Sequence, residues 1–360
     1  MGFESVFFNA FRYPNACIMG TAIGPLLEKR EISLSDLSGK WVGVDSYNIL
    51  YQFLSSIRSP DGTAFTDSQG RVTSHLIGLL YRTTNLVDKG LKLVFVFDGV
   101  PPQLKRDTLR KRSEIRTQAI AAHEQALKEG DLEEAKRLGG RALRLTKEMV
   151  ADAKSLVELL GFPAIQAPSE GEAQIARLCE LGKLQGCASQ DFDALLFGTP
   201  ILYRNIGITG KRKAPGRNVF VDVVPEQISL QQNLDALKID RRKLVWLSML
   251  IGTDFNEKFP NIGPKKALKL VQENDSFESI IKAAKFNPPF DFQEVEDLFL
   301  KPNVNDHATI EFHPPNREKV LHFLVEERGF SRERVNSALE KLSVKAEEKG
   351  SQATLGKWFG

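Results

Sequence analysis

Residues 91–99 read LKLVFVFDG, an apolar run that ends in an aspartate and a glycine. Residues 41–45, WVGVD, have the same form, and residues 161–172, GFPAIQAPSEGE, and 186–193, GCASQDFD, are further short runs that lead into acidic residues. Apolar runs of this length, bounded by turn residues, predict buried parallel strands. The carboxyl ends of parallel strands share one edge of the sheet, so we expect the acids that follow them to share it too.

Helical segments separate the predicted strands. Residues 72–87 and 149–160 carry apolar side chains at helical spacing, and this alternation predicts an α/β fold with a central, mainly parallel twisted sheet flanked by helices. Residues 103–150 interrupt the alternation because they are strongly charged and poor in β-branched and aromatic residues, which predicts two exposed helices in one insertion. Beyond about residue 225 the chain is mostly helical, which predicts a helical C-terminal lobe.

The composition excludes several classes of protein. Of the 360 residues, 42% are apolar and 26% are charged, which rules out disordered, collagenous and coiled-coil chains. Three cysteines without CxxC spacing argue against a disulfide framework or a zinc finger, so we expect a reducing, intracellular compartment. No apolar window is long enough for a membrane helix and the N-terminus lacks the pattern of a secretory signal, so we expect no membrane association.

Acidic side chains follow each predicted strand and one apolar helical run. Seven are candidate metal ligands: Asp45, Asp98, Glu170, Glu172, Asp191, Asp193 and Asp254. Two carboxylates ~4 Å apart repel by ~4 kcal/mol at an effective dielectric of 20, so their convergence requires cations. Oxygen ligands select Mg²⁺ or Mn²⁺ rather than zinc, and more than four carboxylates indicate two ions, which suit the displacement at a phosphoryl group.

Each acid also has a structural explanation when it is taken alone. Ser169 and Glu172 have the spacing of a capping box, and an aspartate after a strand is a common helix N-cap or turn residue. Asp254, in the sequence GTD, could simply begin a turn. The case for metal binding therefore rests on the repeated coincidence of acids with strand ends.

A basic segment directly follows Asp98. Between residues 105 and 116, six basic side chains face two acidic ones, a local net charge of +4. Lys105 and Arg112 are seven residues apart, two helical turns, so both can point from one helix face toward the acids and bind phosphate. The alternative is a solvated amphipathic helix, and from residue 128 onward the mixed charge pattern favours that alternative.

The sequence FPNIGPKKALKLV, residues 259–271, has the composition of a phosphate-binding turn. Asn261 and Gly263 can adopt positive φ, and Pro264 begins a helix whose first backbone N–H groups are free to bind a DNA phosphate. Three lysines lie in its first two turns: Lys265, Lys266 and Lys269. The alternative is an ordinary start of a helix with solubilising lysines.

The tail QATLGKWF, residues 352–359, carries an apolar group that suits a partner protein. Leu355, Trp358 and Phe359 are spaced i, i+3 and i+4, so on one helical turn they form a single apolar plug, with Gln352 before them. The alternative is that they pack on the core of their own chain.

Read together, six motifs resemble the flap endonuclease family of structure-specific 5′ nucleases. They follow the family's order and approximate spacing from about residue 19 to residue 345. The motifs are WVGVDSYNILYQF, VFVFDGVPPQLKRDTLRKR, APSEGEAQIA, ASQDFDALLFG, LIGTDFN and NIGPKKA. The resemblance implies that the seven acids hold two Mg²⁺ ions, with Mn²⁺ as a substitute, and so favours catalysis over helix capping.

The resemblance also implies roles at the reacting phosphate. Lys105 and Arg112 steer the scissile phosphate, and Tyr51 stacks on the nucleobase beside it. Residues 103–150 correspond to a helical arch through which a single-stranded 5′ flap passes. Within that arch, two further basic residues are expected to contact DNA: Arg106 and Arg110.

The resemblance also implies binding partners for two other segments. The helix-turn-helix that contains Gly263 to Lys266 corresponds to the element with which the family binds the downstream duplex, with a bound K⁺. The tail motif, with Gln352, Leu355, Trp358 and Phe359, corresponds to the segment that docks on the replication sliding clamp.

The resemblance divides the chain into a nuclease core, a duplex-binding lobe and a tail. The predicted boundaries are 1–18 for an N-terminal extension, 19–254 for the core with its arch at 103–150, 255–345 for the helical lobe and 346–360 for the tail. The family usually begins with Met-Gly at the position of Met19 and Gly20. We interpret residues 1–18 as a misassigned start, the alternative being a real extension that crowds the metals.

The function that the resemblance implies is 5′ flap endonuclease and 5′–3′ exonuclease activity at single-strand/double-strand junctions, in replication (Okazaki fragment maturation) and repair. We expect an archaeal-type monomer in the cytoplasm at the nucleoid, or in the nucleus of a eukaryote. Two alternatives remain open: a non-catalytic junction-binding scaffold docked on the clamp, and a general ribonuclease of related fold.

Overall fold

A seven-stranded sheet forms the centre of the fold. The computed structural model describes residues 21–59, 63–139, 142, 144–207, 211–213 and 220–342. The strands are β1 (Arg30–Glu31), β2 (Trp41–Asp45), β3 (Lys92–Phe97), β4 (Ala164–Gln166), β5 (Gly186–Ala188), β6 (Ile201–Arg204), β7 (Lys211–Lys213), β8 (Phe220–Asp222) and β9 (Glu226–Ser229). The strand order of the large sheet is β1-β9-β6-β5-β2-β3-β4, and β7 and β8 form a separate antiparallel pair.

The sheet is mainly parallel, as predicted. Strand β2, in the interior of the sheet, pairs in parallel with β3 on one side and β5 on the other, and Val44 lies opposite both Phe95 and Ala188. The pairs β3–β4 and β5–β6 are also parallel, whereas β9 is antiparallel to both β6 and β1. The four strands predicted from sequence correspond to β2, β3, β4 and β5, and all of them end at the same edge.

Helices cover both faces of the sheet. They are α1 (Ser46–Ser56), α2 (Ser74–Asp88), α3 (Arg106–Glu129), α4 (Leu132–Gly139), α5 (Lys147–Leu159), α6 (Gly171–Glu180), α7 (Asp193–Leu196), α8 (Leu230–Leu237), α9 (Arg241–Ile251), α10 (Pro264–Glu273), α11 (Phe277–Ala284), α12 (Phe292–Leu300) and α13 (Arg317–Leu321). Among the described residues, none of these helices combines the length and the apolar character needed to span a bilayer.

The pleat of β3 divides the interior into two apolar clusters. Val94 and Val96 face the cluster that contains α6, α7 and α9, whereas Phe95 and Phe97 face the cluster that contains α1, α2 and α5. Alternate residues of a strand point to opposite faces, so a strand buried on both sides is continuously apolar rather than alternating. This is the physical reason for the sequence LKLVFVF.

The insertion between β3 and α5 contains the two predicted helices. Helix α3 ends at Gly130, which adopts a left-handed φ of 74° and turns the chain into α4. Most side chains of α3 are exposed, and the two that are fully buried, Ala119 and Ala126, are small. The helix therefore projects from the core without a large apolar face of its own.

An extended segment, residues 301–316, connects the C-terminal helices back to the core, and we call it the strap. The amide of His313 donates to the carbonyl of Gly161 at 3.0 Å, and the amide of Asn316 donates to the carbonyl of Leu159 at 2.8 Å. Gly161 has a φ of +84°, and a Cβ atom there would lie 1.9 Å from the carbonyl oxygen of His313. Glycine is therefore required both by the backbone angle and by the close approach of the strap.

Gly161→Ala should lower the free energy of unfolding more than Gly182→Ala does. Gly182 occupies the same position after helix α6, with φ +69°, but nothing lies within 4 Å of its added Cβ. We expect about 1 kcal/mol of destabilisation for the strained φ in both variants, and a further ~1–3 kcal/mol in Gly161→Ala for displacing the strap. Denaturant unfolding measures both values. Equal losses in the two variants would mean that displacing the strap costs no free energy of unfolding.

Candidate active site at the carboxyl edge of the sheet

Asp45 and Asp98 lie at the carboxyl ends of the two neighbouring strands β2 and β3. The Asp45 side chain accepts a hydrogen bond from the Asn48 amide at 3.0 Å and so caps helix α1. Its other oxygen accepts from the hydroxyl of Ser189 at 3.1 Å. Asp98 accepts from the amide of Gly171 at 2.7 Å. The capping explanation is therefore correct for Asp45, but capping does not remove this carboxylate from the edge where the other acids lie.

Glu170 and Glu172 lie at the start of α6. The capping box that the spacing of Ser169 and Glu172 suggests is absent. The helix begins at Gly171 with Glu170 as its N-cap residue, and no side chain caps it. The Oε1 atom of Glu172 is buried and has no hydrogen-bond partner among the described residues. An uncompensated buried carboxylate oxygen is unfavourable, so Glu172 has a reason to bind a cation that helix capping does not supply.

The turn between β5 and α7 carries Asp191 and Asp193. The amide of Phe192 donates to Asp191 at 2.9 Å, and the amide of Asp191 donates to the hydroxyl of Ser189 at 3.1 Å. Asp193 is the first residue of α7 and accepts two hydrogen bonds from Thr21. Both carboxyl groups are buried, with 9% of Asp191 and 5% of Asp193 exposed.

Burial and neighbouring carboxylates raise the pKa values of five of the acids: Asp45, Asp98, Glu172, Asp191 and Asp193. Burial, together with the charges of Asp45 and Glu170, raises the pKa of Asp98 to about 8. Burial raises the pKa of Asp45 to about 6, and burial together with Asp254 raises that of Asp193 to about 6.

The pKa values of two further acids, Glu172 and Asp191, are raised most strongly. Burial and the neighbouring charges of Asp191, Asp45 and Asp193 raise the pKa of Glu172 well above its usual value. Burial and the charges of Asp193 and Asp254 do the same for the pKa of Asp191. The predicted convergence of the acids is therefore present, and it is energetically unfavourable for ionised carboxylates.

Two basic side chains of the insertion reach these acids. The Lys105 Nζ lies 2.6 Å from Glu170 Oε2 and 3.7 Å from Asp254 Oδ2, and the Arg112 Nη2 lies 2.5 Å from Asp254 Oδ1. Burial alone would lower the pKa of Lys105, but Glu170 and Asp254 outweigh it and raise that pKa, so the side chain stays charged. Both side chains point toward the acids, but not from one helix face: Arg112 belongs to α3, whereas Lys105 ends the short helical turn Gln103–Lys105 that precedes it.

The donor set fits hard divalent cations. All of its members offer oxygen atoms, and the free oxygen of Glu172 is available. Within the described ranges, however, no three acidic, histidine or cysteine side chains form a ready-made set of metal ligands. The carboxylates are thus gathered at one edge without being preassembled around an ion.

The other basic candidates of α3 lie apart from the acids. Arg106 and Arg110 are exposed, and Arg110 pairs with Asp107 at 3.2 Å. Tyr51, on α1, is half-buried, and its hydroxyl accepts a 3.4 Å hydrogen bond from Arg116 of α3. Tyr51 therefore lies between the core and the base of the insertion.

The turn before α10 differs in one detail from the expectation. Asn261 adopts the positive φ predicted for it, 56°, and Pro264 is the first residue of the helix. Gly263 does not: its φ is −102° and its ψ is 174°, an extended conformation that any residue adopts. Extended φ and ψ are usual for the residue that precedes a helix, so the local glycine signal was misleading here. No side chain caps this helix, and three lysines near its start are exposed: Lys265, Lys266 and Lys269.

Some predicted residues lie outside the part of the chain that the structure describes. They are the extension 1–18, the pair Met19 and Gly20, and the tail residues Gln352, Leu355, Trp358 and Phe359.

Sequence reasoning missed the residues that support the acids. Ser189 links Asp45 to Asp191, and the ring of Phe192 contacts the cations of Arg204 at 4.4 Å and Lys29 at 5.4 Å. Ser189 stands in the motif ASQDFD, two residues before the first aspartate, where a hydroxyl was a visible signal. No sequence signal indicates the contacts of Thr21, Lys29 and Arg204, because these contacts join separate parts of the chain.

Known proteins resemble this chain over nearly its whole length. Residues 21–119 match the XPG N-terminal domain family, and residues 161–254 match the XPG I-region family. Flap endonuclease 1 of Thermococcus onnurineus is 47% identical over 343 residues, covering 95% of this chain and 99% of that protein, and that of Pyrococcus furiosus is 46% identical over 342 residues with the same coverage.

Solved structures give the same result for the fold. Flap endonuclease-1 of Methanococcus jannaschii superposes with a TM-score of 0.73 at 34% identity, covering 92% of this chain and all of the other. The catalytic core of Rad2 in complex with DNA substrate superposes with a TM-score of 0.64 at 24% identity, covering 89% and 97% of the two chains. The second likeness concerns the fold alone.

Asp98→Asn should stabilise the protein in excess chelator, and more so at pH 8 than at pH 5. Because the pKa of Asp98 is about 8 in the folded protein and near 3.8 in the unfolded chain, the wild-type folded state binds the extra proton between these values. The stability that the folded state gains from this proton on Asp98 is therefore lost as pH rises from about 4 to about 8. Asparagine keeps the acceptor for Gly171 but carries no charge.

We expect a gain at pH 8 of at least about 1 kcal/mol in the free energy of unfolding. Thermal or urea unfolding at the two pH values measures it, with Asp88→Asn, an exposed residue at the end of α2, as the control. A gain that is the same at both pH values would contradict the raised pKa.

Proposed function

The chain belongs to the flap endonuclease family and is a structure-specific 5′ flap nuclease, a DNA phosphodiester hydrolase of replication and repair, and we propose that it cleaves DNA at the carboxyl edge of its sheet. The observation that carries this proposal is the meeting of Lys105 and Arg112 with acids from separate segments of the chain, one before α6 and one after α9. Glu170 and Asp254, the partners of these two cations, belong to segments far apart in sequence. A non-catalytic scaffold would have no need to gather opposite charges there.

The seven acids hold two Mg²⁺ ions in this proposal, with Mn²⁺ as a substitute. The ligands are Asp45, Asp98, Glu170, Glu172, Asp191, Asp193 and Asp254. Support comes from the raised pKa values of Asp98, Glu172 and Asp191, which a bound cation would lower, and from the Oε1 atom of Glu172, which has no hydrogen-bond partner among the described residues. When bound, two such ions lower the pKa of the attacking water and stabilise charge on the leaving 3′ oxygen.

Lys105 and Arg112 bind the scissile phosphate. Phosphate oxygens are negatively charged, like the carboxylates with which these two side chains pair. The guanidinium of Arg112 can donate hydrogen bonds to two phosphate oxygens at once. Both cations are mostly buried, with 15% and 17% of their side chains exposed, so their interaction with a phosphate is weakly screened. The products carry a 5′-phosphate and a 3′-hydroxyl.

Tyr51 stacks on the nucleobase beside the scissile phosphate. Its ring lies on α1, the helix that Asp45 caps, and its hydroxyl contacts Arg116 of the insertion. An aromatic face between the acids and the insertion suits an unpaired base.

The insertion forms an arch over the edge, spanning residues 103–150 of a nuclease core at 19–254. Arg106 and Arg110 are exposed on α3, where they contact the phosphates of a threaded 5′ flap. The substrate is branched DNA, and selectivity comes from the shape of the junction rather than from base sequence.

The turn before α10 binds the phosphates of the downstream duplex, within a helical lobe at 255–345. Helix α10 has an uncapped N-terminus with three exposed lysines beside it, and contacts of this type position DNA without reading its bases. A K⁺ ion accompanies this contact in our proposal.

The tail at 346–360 docks on the replication sliding clamp through Gln352, Leu355, Trp358 and Phe359. The support is the sequence pattern alone: three apolar side chains on one turn of a charged tail. We further propose that the enzyme is a monomer of the archaeal cytoplasm, at the nucleoid.

Asp193→Asn should lower cleavage of a 5′ flap by orders of magnitude while DNA binding is retained. The substitution removes one negative ligand but keeps the shape of the side chain and an oxygen that can accept from Thr21. Single-turnover cleavage with Mg²⁺ and a separate binding titration in chelator measure the two effects, and Asp88→Asn is the control.

The same assay with flap, nicked and single-stranded DNA, and with RNA, defines the substrate class. Preference for the flap is expected. Full activity of Asp193→Asn, or undiminished turnover in excess chelator, would exclude catalysis by the acidic edge, and equal cleavage of RNA would favour the ribonuclease alternative.

Lys265→Ala combined with Lys266→Ala should weaken duplex binding without changing the single-turnover rate at saturating DNA. Each lost phosphate contact should reduce the slope of log K against log[salt] by about 1. Lys319→Ala, an exposed lysine on α13, is the matched control. An unchanged salt slope in the double variant would show that the start of α10 does not face DNA.

A further inference from the structure

The first described segment of the chain, residues 21–29, contacts the turn that carries two of the acids. We propose that Thr21 is a positioning residue for Asp193: it holds one carboxylate oxygen in place and so orients the other toward a divalent cation. This inference rests on the proposed metal-binding role of the acidic edge. It adds a residue that no sequence motif indicates.

Two donors of Thr21 converge on a single atom. The backbone amide and the side-chain hydroxyl both donate to Asp193 Oδ1, at 3.0 Å and 2.7 Å. Thr21 is 1% exposed and Asp193 is 5% exposed, so water does not compete effectively for these bonds. Hydrogen bonds to an ionised carboxylate in such surroundings are shorter and stronger than neutral ones.

The second oxygen of Asp193, Oδ2, takes no part in the contact with Thr21. Within the described part of the chain, Oδ2 accepts none, whereas Oδ1 accepts both. A carboxylate fixed by one oxygen is restricted in rotation, so the direction of its other oxygen is determined. This is the arrangement by which outer residues orient metal ligands.

The same segment holds the neighbouring residue of the turn. A Cβ atom on Gly24 would lie 2.8 Å from the Cζ atom of Phe192, so this backbone lies directly against the ring. The Nζ atom of Lys29 lies 5.4 Å from the centre of the same ring. Residues 192 and 193 are therefore both held by residues 21–29, which are separated from Asp193 by as many as 172 positions in sequence.

The structure thus assigns the hydroxyl of Thr21 a role that the amide alone does not fill. Thr21→Val keeps the volume and the amide but removes the hydroxyl, Thr21→Ala removes it without adding an apolar contact, and Thr21→Ser retains it. Thr83 supplies the control because it is also buried, at 2% exposure, but its hydroxyl has no hydrogen-bond partner among the described residues.

The test is Mn²⁺ binding to the full chain without DNA, followed by electron paramagnetic resonance of the free ion. Thr21→Val and Thr21→Ala should each weaken Mn²⁺ affinity by about tenfold. The Mg²⁺ concentration for half-maximal cleavage should rise by a similar factor, while the dissociation constant for DNA in chelator stays the same. Thr21→Ser should remain within about threefold of wild type, and Thr83→Val should equal wild type.

The outcomes separate this inference from the proposed function. Wild-type Mn²⁺ affinity in Thr21→Val or Thr21→Ala would overturn the positioning role, and so would a loss in Thr21→Ser as large as theirs, because the hydroxyl would then not be the cause. Asp193→Asn is measured in parallel. If it binds Mn²⁺ as tightly as wild type, the acidic edge is not the metal site, and the proposed function fails instead.

Discussion

The crowding of carboxylates at one edge of the sheet is the constraint on which the rest of the structure depends. Burial and mutual repulsion raise the pKa values of Asp45, Asp98 and Asp193 into or near the neutral range. Such a group is unstable unless other parts of the fold compensate for it. Hydrogen bonds from backbone amides and hydroxyls supply some compensation, and Lys105 and Arg112 supply positive charge. This local loss of stability accompanies the site that we propose for cations and phosphates.

The topology explains how this crowding arises. Strand β2 has parallel neighbours on both sides, so three strand ends and their following turns share a small area. The insertion begins five residues after Asp98 with a short helical turn at Gln103–Lys105, which brings its first basic residues back over the edge. The start of α6 brings Glu170 to Lys105, and the turn after α9 brings Asp254 to both Lys105 and Arg112. Charge of both signs therefore meets there because of connectivity, not because of any local motif.

The ion pairs between the insertion and the core also connect the site to the helical lobe. Arg112 pairs with Asp254 and Lys111 with Glu257, both in the segment that follows α9. That segment leads to the turn before α10, where exposed lysines and an uncapped helix start lie. The phosphate-binding surfaces that we propose for the flap and for the duplex thus belong to adjoining segments. A nuclease that recognises a junction requires such an arrangement, since it must contact both parts of its substrate at once.

The sequence alone determined the features that depend on near neighbours: the buried strands β2 to β5, helices α2 and α5, the exposed insertion, the helix start at Pro264, and the placement of acids after strands. Hydrophobic periodicity and turn residues act over a few positions, so they are readable without a structure. The tertiary structure alone decided that Gly263 is extended, that Ser169 and Glu172 form no capping box, and that Asp45 both caps α1 and faces the acids. It alone revealed Thr21, whose partner lies 172 positions away, and the contact of Ser189 with Asp45, 144 positions away, because only chain folding brings these residues together.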